Sequence, residues 1–143
     1  MSDPNWIASP LAGELEAVVT RMRNAREVAQ HVTLIGLLDS WRGLVEQVES
    51  GYQECVYEYA NDVDSRSVLE RVASTGSPEA REALLAWLRT WDERYDEATV
   101  RASKPFHGRA DPNSPYAASP WHWRIPRRLV GYLKANLEDM GIV

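Results

Sequence analysis

Apolar residues recur every three or four positions along most of the chain, which is the pattern of amphipathic α-helices. The first such stripe follows Ser9 and Pro10, which suit the cap and the first turn of a helix. The second stripe keeps its period straight through Gly51, where a glycine costs about 1 kcal/mol relative to alanine in a helix interior. The pattern predicts a helix near 10–31 and one long or kinked helix near 33–60.

Turn residues divide the rest of the chain. A polar corner at 61–64 precedes a short apolar stripe, and Gly76, Ser77 and Pro78 suit the end of one helix and the start of the next. Pro126 suits the first turn of a last helix. We therefore predict helices near 65–74, 78–102 and 126–140, with a loop over 103–119.

These elements together predict the fold class. The sequence contains no stretch of alternating apolar and polar residues that would predict a strand, and no internal repeat is visible. The chain is expected to be an all-α, single-domain bundle of about five helices, with a long Pro-rich loop before the last helix. Loops of this length are usually functional or mobile. The expected core comprises Leu15, Val18, Met22, Leu38, Trp41, Val48, Leu84, Trp87, Leu88, Trp91, Leu129 and Leu133.

The composition fits one soluble domain, with 143 residues of which 44% are apolar and 26% charged. No uncharged apolar run approaches the roughly 18 residues of a membrane span, and residues 1–10 do not resemble a secretory signal. A single cysteine, Cys55, rules out an internal disulfide. We therefore expect a cytoplasmic protein without membrane contact.

The net charge of -5 is unevenly distributed. Residues 1–98 carry eighteen acids and nine bases, whereas residues 99–143 carry three acids and seven bases. A basic last third of this kind either folds back onto the acidic body or binds an anionic partner. The near complementarity of the two blocks favours folding back.

A polar corner near residue 60 is the first candidate site. Glu54, Glu58 and Asp62 stand four residues apart, so a continuous helix would line one face with three carboxylates. Asn61 and Arg66 crowd the same region. A solvated helix corner with capping side chains is the preferred interpretation, and a ligand or partner pocket is the alternative. The candidate residues here are Glu58, Asn61, Asp62 and Arg66.

The stretch 120–128 is the second candidate site, because tryptophan and arginine are enriched at interface hot spots. Two of its arginines would begin the predicted last helix, where the helix dipole disfavours cations. Pairing with acids of the fourth helix would offset that cost internally, and an external anion would offset it functionally. We favour internal pairing. The candidate residues are Trp121, His122, Trp123, Arg124, Arg127 and Arg128.

Motifs for catalysis, metals and nucleic acid find little support. His31, His107 and His122 are scattered and lack metal-ligand spacing. Glycine-rich phosphate loops, dinucleotide fingerprints and nucleophile-elbow motifs do not occur in the sequence. No tight turn precedes a convincing polar recognition helix, which disfavours DNA or RNA as a partner. We expect no catalytic residue, no metal and no cofactor.

Three classes of function stay open, in a definite order. The first is a non-catalytic protein-binding module, including an acidic inhibitor or immunity-like partner of a basic protein, since an acidic body steers a cationic partner. The second is a small-molecule or anion-binding bundle that uses the Glu, Asp, Arg and Trp residues of the two candidate sites. The third is an enzyme of unassigned reaction. A protein partner is expected, and a homodimer is an open alternative.

Arg124 carries the sharpest structural expectation. It stands among large aromatics and prolines and is poorly placed to stay hydrated, and the long loop needs an anchor. We predict that Arg124 is partly buried and that Trp121 or Trp123 packs over the fourth helix. Arg124→Ala should then cost roughly 2–4 kcal/mol of stability. The expected carboxylate partners are Glu58, Asp62, Asp92 or Asp96.

Overall fold

A computed structural model describes residues 4–104, 106 and 120–143. Within these residues the chain forms five α-helices, one short 3-10 helix and one two-stranded sheet, which confirms the predicted all-α class. The elements are α1 (Pro10–Asn24), α2 (Leu34–Ser50), α3 (Val56–Thr75), α4 (Pro78–Ala98), β1 (Thr99–Arg101), the 3-10 helix (Pro120–Trp123), β2 (Arg124–Pro126) and α5 (Gly131–Asp139).

The predicted start signals of α1 and α4 act as caps. The Ser9 side chain accepts a hydrogen bond from the Leu11 amide, and the Ser77 side chain accepts one from the Ala80 amide. A proline follows each serine in the first turn. Each serine therefore satisfies one of the amides that a helix start leaves without an intrahelical partner.

The core lies among α1 to α4, where α2 packs against both α3 and α4. Trp41 of α2 and Trp91 of α4 are its largest fully buried side chains. Ten of the twelve predicted core residues are buried. The other two, Trp87 and Leu129, pack against the core from a partly exposed position.

The long helix predicted at 33–60 is wrong, because the chain breaks at Gly51. This residue caps the end of α2 with φ +113° and ψ 101°, a backbone conformation that residues with a side chain rarely adopt. Tyr52 then forms an isolated parallel bridge with Leu129, and α3 begins only at Val56. The apolar period continues across the break because both helices bury their stripes in the same core.

The short helix predicted at 65–74 is also too short, since α3 runs from Val56 to Thr75 and includes the supposed corner at 61–64. The Cys55 side chain makes no capping hydrogen bond; instead Asn136 of α5 accepts one from the Val56 amide at 2.9 Å. A cap supplied from another helix, 80 residues away, leaves no mark in the local sequence.

A two-stranded ribbon follows α4 where the sequence pattern predicts more helix, to residue 102. Thr99, Val100 and Arg101 of β1 pair antiparallel with Pro126, Ile125 and Arg124 of β2. Two further hydrogen bonds extend the pairing, from the Ala102 amide to the Trp123 carbonyl and from the Phe106 amide to the His122 carbonyl. Strands of three residues are too short for alternation to reveal.

The first and last helices, α1 and α5, are both shorter than the sequence pattern predicts. α1 ends at Asn24 rather than near 31, and Arg26 two residues on has a left-handed φ of 58°. α5 begins at Gly131 rather than 126, because pairing with β1 keeps the chain extended as far as Pro126. Most of the predicted loop, 105 and 107–119, lies outside the described residues.

Among the described residues, no helix combines the length and the apolar composition that crossing a membrane requires.

The positive φ of Gly51 leads to a paired prediction. Gly51→Ala should destabilise the fold by about 1–3 kcal/mol, since the new side chain strains the backbone. Gly43→Ala in the middle of α2 is the control: the added methyl meets no described atom within 4 Å, so a gain of up to about 1 kcal/mol is expected. Urea denaturation of both variants measures this. Equal effects would show that Gly51 is replaceable.

Candidate functional site

The Trp/Arg stretch 120–128 folds back onto the end of α4. The Arg124 guanidinium donates to the carbonyls of Asp96 and Thr99 at 3.1 and 3.0 Å and to the Thr99 hydroxyl at 2.8 Å. Arg127 donates to the Glu97 carbonyl at 2.8 Å. Both cations therefore lie at the negative end of the α4 dipole, where Arg127 gives a donor to the Glu97 carbonyl and Arg124 adds a second donor to the Asp96 carbonyl, which already accepts from the Thr99 amide.

The predicted ion pair of Arg124 is confirmed, but the ion pair is not the contact that contributes most to holding Arg124 in place. Arg124 lies 3.2 Å from the Asp96 carboxylate, and its own side chain is 24% exposed. The Asp96 side chain is 68% exposed, so that pair contributes little in water. The carbonyl and hydroxyl contacts are the ones that fix Arg124.

The conflict expected between two arginines and the dipole of the last helix does not arise. Arg127 and Arg128 precede Gly131, where α5 begins, so neither occupies its first turn. Arg128 runs alongside Gly51 instead, with its Nε 3.5 Å from the position a Cβ would take there. Arg128 thus lies beside the C-terminus of α2.

Arg66 is the most deeply buried charge among the described residues, with a side chain 5% exposed. It binds Asp92 through two hydrogen bonds of 2.9 and 2.8 Å and Glu70 through one of 2.8 Å. The Trp41 indole also donates to Asp92, at 3.0 Å. Burial lowers the pKa of Arg66, but the hydrogen bonds and charges of Asp92 and Glu70 together outweigh this, and the net shift of the pKa is upward.

Trp121 covers this ion pair. The Arg66 guanidinium lies 4.6 Å from the centre of the Trp121 ring, a cation–π distance. The same ring contacts Trp41 edge-on at 5.5 Å and Tyr95 of α4 at 6.1 Å. The prediction that Trp121 packs over the fourth helix is therefore confirmed. Trp123 instead lies under the exposed Arg101, at 4.8 Å.

Two buried tyrosines hold the backbone of β2. The hydroxyls of Tyr59 and Tyr95 are hydrogen-bonded to each other at 2.8 Å, and both lie within hydrogen-bond distance of the Arg124 carbonyl, at 2.9 and 3.2 Å, so their two protons are shared among these three contacts. Burial raises the pKa of each tyrosine above its ordinary value of 10.0. Both hydroxyls therefore stay protonated at neutral pH and act as donors.

His122 is fully buried and lies against Asp64 of α3, with 2.6 Å between its Nε2 and the Asp64 Oδ1. Its ring packs on Phe106 at 5.7 Å. The contact ties the 3-10 helix to α3, and the bond from the Phe106 amide to the His122 carbonyl ties it to Phe106 as well. His122 is thus a packing and anchoring residue.

The polar residues Glu58, Asn61 and Asp62 lie on α3 itself. Asp62 is half-buried and accepts a hydrogen bond of 2.7 Å from the Tyr52 hydroxyl. Burial raises the pKa of Asp62, with further upward contributions from the charges of Glu58 and Glu54. The carboxylates predicted to share one face therefore do influence one another, although Glu54 precedes the helix.

Asn61 and Asp62 line a cleft of about 420 Å³, which we call the α2–α3 cleft. It lies between the connection from α1 to α2, the first turns of α2 and the middle of α3. Its lining comprises Glu27, Val28, Ala29, His31, Val32, Thr33, Gly36, Leu37, Ser40, Asn61, Asp62, Asp64, Ser65 and Val68.

Trp121 lines a second depression, an open groove of about 500 Å³ along α4 that we call the α4 groove. Glu93 and Glu97 on its rim are exposed, and within the described ranges neither forms an ion pair. The full lining is Leu85, Arg89, Asp92, Glu93, Asp96, Glu97 and Trp121.

The structure thus divides the predicted site residues between two surfaces and the core. Asn61 and Asp62 belong to the α2–α3 cleft, Trp121 to the α4 groove, and Arg66 and His122 to the interior. Two groups escaped sequence reasoning: the bond from Trp41 to Asp92 and the pair Tyr59–Tyr95. The sequence does contain a signal for the burial of Arg66. Arg66 continues the apolar stripe of Tyr59 and Val63 at helical spacing, which places it on the buried face of the helix.

Metal binding gains no support, because no three His, Cys, Asp or Glu side chains of the described part of the chain converge on a common point.

No known family model, no curated protein and no solved structure matches this chain. The fold and its two surfaces therefore have to be interpreted from their own chemistry.

The contacts of Arg124 lead to a prediction that separates its two kinds of partner. Arg124→Ala should cost about 2 kcal/mol, because charge-assisted hydrogen bonds to the end of α4 are lost. Asp96→Asn removes only the exposed ion pair and should cost less than about 0.5 kcal/mol. Denaturant unfolding of the two variants tests this. If Asp96→Asn costs as much as Arg124→Ala, the carboxylate is the partner that fixes Arg124.

Proposed function

We propose that the protein is a non-catalytic binding module for a basic protein, of the kind represented by acidic inhibitors and immunity-like proteins. The observation that carries the proposal is the α4 groove, in which the exposed carboxylates Glu93 and Glu97 flank the half-buried ring of Trp121. The combination suits a lysine or arginine side chain from a partner.

The distribution of cations supports this choice over an anionic partner. Arg124 and Arg127 are occupied by carbonyls at the end of α4, and Arg66 is buried between Asp92 and Glu70. These three arginines offer few donors to an external phosphate or carboxylate, and Arg89, the arginine on the lining of the α4 groove, stands among four acids, Asp92, Glu93, Asp96 and Glu97. The net charge of -5 also attracts cationic partners to the surface of the protein.

Trp121 supplies the apolar part of the surface. One arginine, Arg66, already lies over its ring at 4.6 Å, so the indole can bind a guanidinium in this geometry. Leu85 adds an aliphatic wall, and Glu93 lies one turn before Glu97 on the same helix. A partly buried aromatic within a polar rim is the composition of a recognition surface.

The small-molecule alternative has one observation in its favour, the α2–α3 cleft, which is treated separately below. The enzyme alternative has no assigned reaction. A cytoplasmic location and a homodimer stay predictions of the sequence, and light scattering of the purified chain measures the oligomeric state.

The proposal predicts which charges a partner needs. Glu93→Lys with Glu97→Lys should abolish retention of a basic protein from extract of the native cell. Glu79→Lys with Glu82→Lys is the control, because it makes the same change in charge on exposed positions at the other end of α4, where even the nearest pair, Glu82 and Glu93, is roughly 16 Å apart.

Immobilised wild type and both variants are exposed to the same extract, and bound proteins are identified by mass spectrometry at two salt concentrations. We expect one basic protein on wild type and control that is absent from the groove variant, with weaker retention at high salt. Equal retention by all three, or no protein specific to wild type and control, would contradict the proposal.

A further inference from the structure

The α2–α3 cleft has the dimensions of a small-molecule site. Its volume of about 420 Å³ lies within the roughly 300–1,000 Å³ typical of ligand pockets. It shares no lining residue with the α4 groove. A ligand in this cleft therefore contacts none of the residues that line the α4 groove.

The walls of the cleft differ in polarity. Leu37 of α2 and Val68 of α3 are buried apolar side chains that border it, and Val32 is half-buried beside them. Asn61 and Asp62 of α3 provide polar groups on the same lining. A pocket of this kind fits a ligand with an apolar body and a polar end.

The charge of the polar wall identifies the polar end of that ligand. Asp62 Oδ2 accepts a hydrogen bond from the neutral Tyr52 hydroxyl, and among the described residues Asp62 Oδ1 has no hydrogen-bond partner and no cation. Glu58 and Glu54 add negative potential at the same place. A half-buried carboxylate without a counter-ion is stabilised by a cation that also donates a hydrogen bond.

The other ionisable groups of the lining do not provide that cation. Glu27 pairs with Arg71 at 2.8 Å across the rim, and Asp64 binds His122. His31 lies on the exposed edge of the cleft, and among the described residues no ion pair joins it to Asp62. Because no three donors of the described part converge, an ammonium group fits better than a metal ion.

We propose that the α2–α3 cleft binds a small organic amine, with its ammonium group on Asp62 and its apolar body against Val32, Leu37 and Val68. The inference does not rest on the protein-binding function, since the two surfaces are separate.

In the protein without ligand, the ionised Asp62 carboxylate is expected to lower the stability of the fold. Burial raises its pKa, so the folded chain holds this proton more tightly than the unfolded chain, and ionisation above the folded pKa costs stability. Asp62→Asn keeps an oxygen that accepts from Tyr52 and removes the charge. The variant should therefore have a melting temperature at pH 7 equal to or above that of wild type, as expected where stability has been traded for binding.

The test is calorimetric titration of the full chain with phenethylamine at pH 7, and with 2-phenylethanol as a neutral compound of the same shape. We expect saturable binding of the amine and none of the alcohol. Asp62→Asn should weaken amine binding at least about tenfold, because a charge-assisted hydrogen bond is lost.

Glu58→Gln is the matched control, since it removes the same charge one turn earlier on α3, outside the cleft. Its affinity for the amine should stay within about threefold of wild type. The proposal is overturned if wild type shows no saturable binding of phenethylamine, if the alcohol binds equally, or if the two variants lose affinity to the same extent.

Discussion

The buried ion pair between Arg66 and Asp92 is the contact on which the arrangement of the helices depends. It joins α3 to α4, while Trp41 brings α2 to the same carboxylate and Trp121 places the 3-10 helix over the guanidinium. A charge this deep is stable only when its donors are satisfied, and here two carboxylates and one aromatic ring surround it. Four elements therefore meet at this one ion pair.

The basic last third of the chain has a structural reason. The last turns of α2, α3 and α4 contain no basic residue of their own, and cations from elsewhere lie near the ends of these three helices. Arg124 and Arg127 of the last third bind the end of α4, and Arg81, at the start of α4, does the same for the Ala73 and Ser74 carbonyls at the end of α3. Folding back therefore uses much of the positive charge internally, and the groove carboxylates Glu93 and Glu97 stay on the surface.

Local chemistry explains what could be predicted from the sequence. Ser9 and Ser77 act within three residues of themselves, so the local sequence predicts their caps, and Asp96 is one of the four acids that the sequence offers as partners for Arg124. The break at Gly51 was not, because an apolar period continues wherever two helices share a core. Neither were the strands at 99–101 and 124–126 or the cap from Asn136, since their partners are distant in sequence. The site at Asp62 was suggested by its carboxylates, but its apolar wall comes from other elements.

The most direct measurement of the central claim is the free energy of unfolding of Arg66→Met beside Arg71→Met, by urea denaturation followed through tryptophan fluorescence. Both arginines lie on α3 and form an ion pair, but the pair of Arg71 with Glu27 is about 40% exposed on each side. The account predicts a loss of about 3 kcal/mol for Arg66→Met, which leaves Asp92 without its cation, and less than about 1 kcal/mol for Arg71→Met. Equal losses would contradict it, because the buried pair would then hold the helices no more firmly than a surface one.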